Sequence, residues 1–360
     1  MSILAITNFL FQPWLYFVLT TAIFIAMVVW REQWTEPKMA LKILAGVIVL
    51  LGLFMTNEHF FDISTKADNI PIFIMVFSVG FFTWLSFRQA VLNDRRIDQG
   101  QPPVEKETSD KKVYVWPDLV FIEFIATIIG GVVLLVWSLC FHAPLEEAAN
   151  PSWTPNPSKA PWYFLGLQEM LVYYDPWLAG VVFPTLIIVG LMAIPYIDKN
   201  PKGSGYYTIK ERKLAIIPFL FGFLILWVTL IFLGTFLRGP AWNFFGPFEE
   251  WNPHKVVVLN NVNLSEYFWV MLLHVSLPSN PLIREAPGFL VIAAYFLWLP
   301  AFLTKKSAFL MGLLEKMGVA RYVTLVFLAL SMAALPIKMV LRWVFNLKYI
   351  VGIPEVFFNI

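Results

Sequence analysis

Long apolar runs separated by short polar segments make up most of this chain. A helix crosses the hydrocarbon core of a bilayer with about 17–25 mostly apolar residues. Runs of that kind lie near 9–30, 40–56, 70–87, 117–141, 178–197, 214–237, 287–304 and 321–341, and the second of them is short. The pattern therefore predicts an all-α fold, a polytopic membrane bundle of about eight transmembrane helices.

The composition indicates the same class of protein. Of the 360 residues, 14% are charged and 59% are hydrophobic, which leaves too little polar surface for a soluble chain of this length. The single cysteine, Cys140, excludes a disulfide, a cysteine-held cluster or a thioether haem attachment within this chain. No internal repeat is evident, which disfavours a secondary transporter built from inverted repeats. No metal site and no nucleic-acid partner are expected.

Lysine and arginine are distributed unevenly between the two sides of the predicted bundle. Loops 31–42, 88–112, 199–213 and 305–321 hold 3, 6, 5 and 4 basic residues, which is 18 of the chain's 26. With eight spans these four loops lie on one side, and the positive-inside rule places that side in the cytoplasm. Both termini and loops 142–176 and 238–286 are then expected outside.

The most strongly charged tract lies between the third and fourth spans. Residues 88–112 are polar and read as a helix-poor, exposed linker. We therefore expect a three-helix N-terminal extension over 1–90, a cytoplasmic linker over 91–114 and a second membrane domain over 115–360.

The outer loop 149–175 changes abruptly from proline-rich to aromatic and carries one acid in its apolar part, Glu169. Trp162, Leu165 and Glu169 follow one another at helical spacing, so Pro161 is expected to begin a short surface helix. Trp162 and Glu169 are seven residues apart, which would place them on one face. A carboxylate among aromatic side chains in a partly buried cavity can accept a proton from a bound hydroxyl. The alternative is an exposed acid on an amphipathic surface helix.

Histidines and intramembrane acids give two further tests. None of the four histidines lies near the middle of a predicted span, where a membrane b haem takes its axial ligands, so this chain alone is not expected to bind haem. Asp118 and Glu123 lie at the start of the fourth span, where an ionisable group indicates a proton or ligand site. For both, an acid that snorkels or pairs at the span end is the alternative.

From Val113 onward, the order of motifs resembles one known family. The motifs are Pro117-Asp118-Leu119, Asn150-Pro151, Thr154-Pro155, Pro161-Trp162-Tyr163 and Met192-Ala193-Ile194-Pro195-Tyr196. They are specific in combination and weak singly. The series is similar to the C-terminal half of cytochrome b and to subunit IV of cytochrome b6f complexes, most strongly over 117–255.

The resemblance implies a site and a set of partners. In that family the outer loop and its short helix form the lid of the quinol-oxidation site, and the haem-ligating histidines lie in the other half of cytochrome b. The resemblance thus implies a haem-free subunit of a quinol:cytochrome c oxidoreductase in a bacterial inner membrane, with Pro161, Trp162, Tyr163 and Leu165 at the quinol. Its cofactor would be ubiquinol or menaquinol. Its partners would be a separate haem-binding cytochrome b half that carries the b haems, a Rieske iron–sulfur protein, a cytochrome c and lipid.

The chain departs from the family at one important position. The family's quinol-site signature is Pro-Glu-Trp-Tyr, and the aligned residues here are Ala160, Pro161, Trp162 and Tyr163. We expect Glu169, on the same short helix, to take over as the catalytic residue that accepts the quinol proton. The alternative is that a partner subunit or water accepts it. The family's inner quinone site would place Asp118 and Lys111 near a ligand, and Glu123 is a further candidate for that site or its proton path. The alternative function is a haem-free quinone-binding or anchor subunit of another respiratory complex.

Overall fold

The computed structural model describes residues 3–108, 114–141, 148–200, 205–257 and 260–360, with side chains from residue 6 onward. The helices run, in order, over Ile3–Leu10, Pro13–Val29, Arg31–Trp34, Pro37–Phe54, Glu58–Thr65, Ile70–Asp98, Val104–Thr108, Val115–Cys140, Leu165–Met170, Leu178–Ile197, Ile209–Phe236, Leu264–Glu266, Tyr267–Leu272, Pro281–Arg284, Ala286–Lys306, Ala308–Met317 and Val319–Phe345. Short 3₁₀ turns lie over Trp162–Phe164, Pro240–Trp242 and Pro354–Val356. A two-stranded hairpin pairs Gly352–Ile353 with Phe358–Asn359.

The predicted all-α membrane bundle is confirmed. Seven helices of the described chain are long and apolar enough to cross a membrane, and each coincides with a predicted span. The remaining predicted span, which is the first in the chain, corresponds to Pro13–Val29, which has 17 residues. The first span is therefore the shortest, whereas the sequence pattern suggested the second, which extends over 18 residues in Pro37–Phe54.

Local sequence explains where several of these helices begin and end. Pro37 occupies the first turn of its helix, where its missing N–H is not needed. The Asn57 side chain accepts a hydrogen bond from the Phe60 amide and caps the next helix. Gly318, with φ of 78°, separates Ala308–Met317 from the last span, because glycine adopts this left-handed backbone without strain.

The chain forms two compact units. One comprises Met1–Ile25, Asn156–Gly203 and Ile217–Ile360, and the other comprises Ala26–Pro155 and Ser204–Ile216. The boundaries that we expect near residues 90 and 115 stay a prediction.

In the second unit, the helix that includes the third span continues well beyond the predicted end of that span. It runs over Ile70–Asp98, so the first part of the tract that we expected to be helix-poor is helical. Its arginines and Gln89 are good helix formers, and the helix ends only before Gly100, whose φ is 73°. Asn93 is fully buried there and donates to Glu105 and to the Tyr207 carbonyl. Hydrogen bonds therefore anchor this part of the tract.

Two spans of the second unit have no buried side chain in the described chain. They are Pro37–Phe54 and Val115–Cys140. Every residue of Val115–Cys140 is exposed, and in Pro37–Phe54 only Ala40, Leu51 and Phe54 are half-buried.

The core of the first unit contains the segment Thr229–Phe236, in which every residue except Phe232 is buried. The chain after the last span folds back over the same unit as a hairpin. Gly352 donates its amide hydrogen to the buried carboxylate of Glu285. Gly288 lies so close to the Ile350 carbonyl that an added Cβ would approach that oxygen to 2.0 Å, and only glycine fits.

Candidate functional site

A short helix on the first unit, Leu165–Met170, forms the base of the site, and we call it the site helix. Pro161 has an extended backbone and precedes a 3₁₀ turn, Trp162–Phe164, which leads into the helix. We call Trp162–Phe164 the aromatic turn. The structure thus has a short helix at the place where the proline and the apolar spacing predict one.

The site helix and the aromatic turn differ in exposure. Leu165, Gly166, Glu169 and Met170 are buried. Tyr163 and Phe164 are 47% and 49% exposed. The site helix therefore serves as a packed base, and the aromatic turn presents open rings.

We expected Trp162 and Glu169 to share one face of a single helix, but they lie in different elements. Trp162 is half-buried in the 3₁₀ turn, whereas Glu169 is fully buried in the α-helix. A spacing of seven residues places two side chains on one face only in an uninterrupted α-helix with 3.6 residues per turn. The 3₁₀ turn at Trp162 has three residues per turn and breaks that spacing. The expected alternative of an exposed acid does not apply either, because Glu169 is 0% exposed.

Gly234 allows the site helix to pack closely against Thr229–Phe236, and Gly166 lies at ordinary contact distance from the same segment. A Cβ on Gly234 would lie 3.2 Å from the Leu165 carbonyl oxygen. A Cβ on Gly166 would lie 3.5 Å from the Ile231 side chain. Small residues permit this approach of two backbones, and in an apolar environment close packing itself holds helices together.

Four hydrogen bonds reach the carboxylate of Glu169. Arg238 donates from Nη2 to Oε1 at 2.6 Å and from Nε to Oε2 at 2.9 Å, which is a two-pronged ion pair. The Trp242 indole donates to Oε2 at 3.0 Å, and the Tyr173 hydroxyl donates to Oε1 at 3.3 Å. Each carboxylate oxygen therefore accepts two hydrogen bonds.

The charges of this cluster stabilise one another. Burial by itself lowers the pKa of the Arg238 guanidinium, but the adjacent Glu169 carboxylate reverses this effect and leaves that pKa raised. Burial also raises the pKa of the Tyr173 phenol, and the negative charge of Glu169 raises it further. Arg238 thus stays a cation, and Tyr173 stays a neutral donor.

The proline-rich loop before the aromatic turn is fixed to the same base. Gln168 on the site helix accepts from the Ala160 amide and donates to the Ser158 carbonyl. Lys159 donates to the Thr235 carbonyl at 2.6 Å, and its ammonium lies 4.8 Å from the centre of the Trp251 ring. The loop on the N-terminal side of the aromatic turn is thereby held in place.

The loop that carries Trp242 adopts a strained conformation. Ala241 and Trp242 have φ of 55° and 57°, in the left-handed region that non-glycine residues rarely occupy. The Ala241 amide donates to the Asn156 side chain at 2.6 Å, and the Trp242 carbonyl accepts from Arg238 at 3.1 Å. Such strain persists only where surrounding contacts hold it, and these contacts supply that restraint.

The other predicted site residues fall into two groups, one beside the aromatic turn and one on a different part of the chain. Pro161 is exposed next to the aromatic turn, and Leu165 is buried under it. Asp118 and Glu123 belong to the second unit, on the exposed span Val115–Cys140. Lys111 lies outside the described residues.

Arg238 is the residue that the sequence reasoning missed. It stands just after the end of a span, where a basic residue ordinarily indicates an interfacial anchor. A usable signal was present, since Glu169 is the one acid in an otherwise apolar segment and a buried acid requires a cation.

Comparison with known proteins assigns the part of the chain that holds this site. Residues 148–246 match the family described as Cytochrome b(C-terminal)/b6/petD. The matched segment is similar to the C-terminal domain of cytochrome b. It contains the site helix, the aromatic turn, Arg238 and Trp242.

One relative of the chain is a component of a quinol-oxidising system. The "Menaquinol:cytochrome c reductase cytochrome c subunit" of Geobacillus thermodenitrificans is 30% identical over 114 residues, which is 28% of this chain and 44% of the relative. The chain thus spans less than half the length of this curated relative. No solved structure matches the chain.

Proposed function

We propose that this chain is a membrane subunit of a quinol:cytochrome c oxidoreductase of the cytochrome bc type, and that it forms part of the outer quinol-oxidation site. The match of residues 148–246 to the cytochrome b C-terminal family supports the class of complex. The name of the Geobacillus relative supports quinol:cytochrome c reduction as the reaction and makes menaquinol the first quinol to test. The complex would lie in a bacterial inner membrane, with both termini of the chain outside.

The observation that carries the proposal is the combination of open aromatic rings with a rigid base. A flat, mostly apolar quinol head needs aromatic walls held in place and a few polar groups. The aromatic turn offers such rings, and the site helix beneath it is fixed by packing and by the Glu169–Arg238 pair. We assign Pro161, Trp162 and Tyr163 to this wall, with the buried Leu165 packed beneath them, and a partner subunit would complete it.

The redox groups are assigned to partner chains. A membrane b haem needs imidazole ligands from within the bilayer, and the described histidines, His59, His254 and His274, all lie outside the spanning helices. A separate haem-binding cytochrome b half, a Rieske protein and a cytochrome c would therefore supply electron transfer. This chain would bind and orient the quinol.

Two candidates for accepting the quinol protons were left open by the sequence, namely Glu169 and a group of a partner subunit or water. The contacts favour the second. Both oxygens of Glu169 already accept hydrogen bonds, and none of the carboxylate is exposed to a substrate.

For the inner quinone site or its proton path, Asp118, Glu123 and Lys111 stay candidates. Asp118 and Glu123 lie exposed on a span that has no buried side chain. A partner that covers this span would complete such a site. The same open span, together with Pro37–Phe54, is the observation that favours the second candidate function, a quinone-binding or anchor subunit of another respiratory complex.

The deciding experiment is purification of the intact complex through a tag on this chain. A reduced-minus-oxidised spectrum, identification of the subunits and an assay of quinol:cytochrome c reduction with menaquinol and ubiquinol analogues would follow. Co-purification of a b-haem chain and a Rieske protein, with quinol-dependent cytochrome c reduction, is the expected result. A complex without b haem and without a Rieske protein would refute the proposal and favour the anchor function.

The quinol wall is tested by replacing Trp162 with alanine in that complex. Loss of the ring removes packing against the quinol head, and we expect kcat/KM for quinol to fall about tenfold or more. Phe309→Ala is the control, since it also removes an aromatic ring, which is 62% exposed and outside the site. An unchanged kcat/KM in the assembled Trp162→Ala complex would remove Trp162 from the site.

A further inference from the structure

We propose that Glu169 and Arg238 form a clasp that positions the aromatic turn, and that Glu169 exchanges no proton with the quinol. This inference rests on the proposed function for its meaning in catalysis. The clasp itself is a statement about structure and is tested separately. Arg238 is thereby a positioning residue.

The Glu169 carboxylate already accepts as many hydrogen bonds as its two oxygens can take. Arg238 occupies one lone pair on each oxygen, at 2.6 and 2.9 Å. Trp242 and Tyr173 occupy a second lone pair on each oxygen. A hydroxyl of a bound quinol would have to displace one of these donors before it could transfer a proton to Glu169.

Neutralising Glu169 would be costly in free energy because its partner Arg238 is buried with it. Glu169 is 0% exposed and Arg238 is 8% exposed. If the carboxylate took up a proton, the guanidinium would be left buried without a counter-charge, which is strongly unfavourable. A group that accepts and releases a proton in every turnover needs two protonation states that differ little in free energy.

Several segments of the chain meet at the Glu169–Arg238 pair. Glu169 belongs to the site helix, and Arg238 follows the buried helix Thr229–Phe236 by two residues. Arg238 also donates to the carbonyl of Trp242, whose strained loop is bonded to Asn156. One ion pair thus joins the site helix, the end of a span and the loop that holds the proline-rich segment.

These contacts predict that geometry matters at this pair and that charge does not. A buried ion pair can be replaced by a neutral pair without loss, whereas removal of one partner is harmful. Two facing glutamine amides can hydrogen-bond to each other and leave no buried charge without a counter-charge, although the bond from Arg238 to the Trp242 carbonyl is lost. A Glu169→Gln/Arg238→Gln double variant should therefore keep the clasp, while each single variant should weaken it.

The activity test compares these variants in the purified complex. We expect Glu169→Gln and Arg238→Gln each to lower quinol:cytochrome c activity about tenfold, and the double variant to return within about threefold of the parent with an unchanged pH profile. Glu355→Gln is the control, because it breaks the exposed ion pair with Arg284 and should change nothing. An assembled double variant that is no more active than Glu169→Gln would overturn the inference.

Arg238→Lys adds a variant that keeps the charge and is therefore expected to fold. A lysine ammonium cannot make the two parallel bonds of the guanidinium. The clasp predicts reduced activity for Arg238→Lys. Parent-like activity of Arg238→Lys would show that charge alone suffices and would also overturn the inference.

A measurement without turnover separates failure of the clasp from failure of the proposed function. Thr235 is 1% exposed in the segment under the site helix, and Cys140, the native thiol, is exposed and can be replaced by serine. In a Thr235→Cys, Cys140→Ser chain, maleimide labelling should be slow, about fivefold faster with either single variant and slow again with the double variant. This pattern without any quinol activity would support the clasp and refute the proposed function. Equal labelling in all variants would refute the clasp.

Discussion

Buried charge at the residue scale separates into paired and unpaired groups. Glu169 is paired with Arg238, and the buried Glu285 is paired with Arg284. Lys338 is 1% exposed in the last span, and its ammonium has no hydrogen-bond acceptor among the described residues. Its surroundings are aromatic, with the rings of Tyr174 and Tyr349 centred 5.8 and 6.0 Å away.

Replacement of Lys338 by methionine should raise the thermal stability of the complex. Methionine has a similar length and leaves no polar group unsatisfied, and such a group costs about 1–3 kcal/mol. An increase in melting temperature of about 2–6 °C is expected, measured by loss of assembled complex on heating. Lys316→Met, at an exposed position, is the control. A lower melting temperature for Lys338→Met would mean that Lys338 has a partner outside this chain.

At the scale of elements, the site helix depends on close backbone approach. It has only six residues, which is too short to be stable alone, so its packing on Thr229–Phe236 holds it. Gly234 is the point of closest approach, since an added Cβ would meet the Leu165 carbonyl at 3.2 Å. Backbone, unlike a flexible side chain, cannot move aside easily.

Gly234→Val should therefore displace the site helix and reduce stability. Overpacking of this kind costs about 1–3 kcal/mol, and the variant should lose both assembled complex on heating and quinol oxidation. Gly52→Val is the matched control, because an added Cβ at Gly52 meets nothing within 4 Å. If both variants behaved like the parent, the close contact at Gly234 would not be needed to hold the site helix.

Local sequence accounts for the presence of the site helix and not for its surroundings. Pro161 and the apolar spacing predict a short helix, and a helix is found. The 3₁₀ turn at its start and the burial of Glu169 depend on contacts with distant residues. The helical part of tract 88–112 shows the same limit, since Asn93 is buried by contacts with residues up to 114 positions away.

At the scale of the whole molecule, the arrangement of basic loops predicts which side of the membrane each loop occupies. Loop 88–112 carries 6 basic residues and is expected in the cytoplasm, and loop 142–176 is expected outside. This orientation would place the aromatic turn at the outer surface.

Single cysteines test that orientation. In a Cys140→Ser chain, Ser152→Cys should react with a membrane-impermeant maleimide in intact spheroplasts, and Gln99→Cys should react only after the membrane is opened. Both positions are exposed, so a difference in labelling reports the side of the membrane. The reverse pattern would invert the bundle and place the site in the cytoplasm.

The sequence by itself determined the membrane class, the places of the seven described helices that are long and apolar enough to cross a membrane, and the position of the short helix after Pro161. Each of these depends on the polarity and conformational preference of residues close together in the chain. Only the tertiary structure decided the partner of Glu169. Arg238 is 69 residues away, and its pairing results from the packing of Leu165–Met170 against Thr229–Phe236. That contact depends on how distant segments meet, which no local pattern specifies.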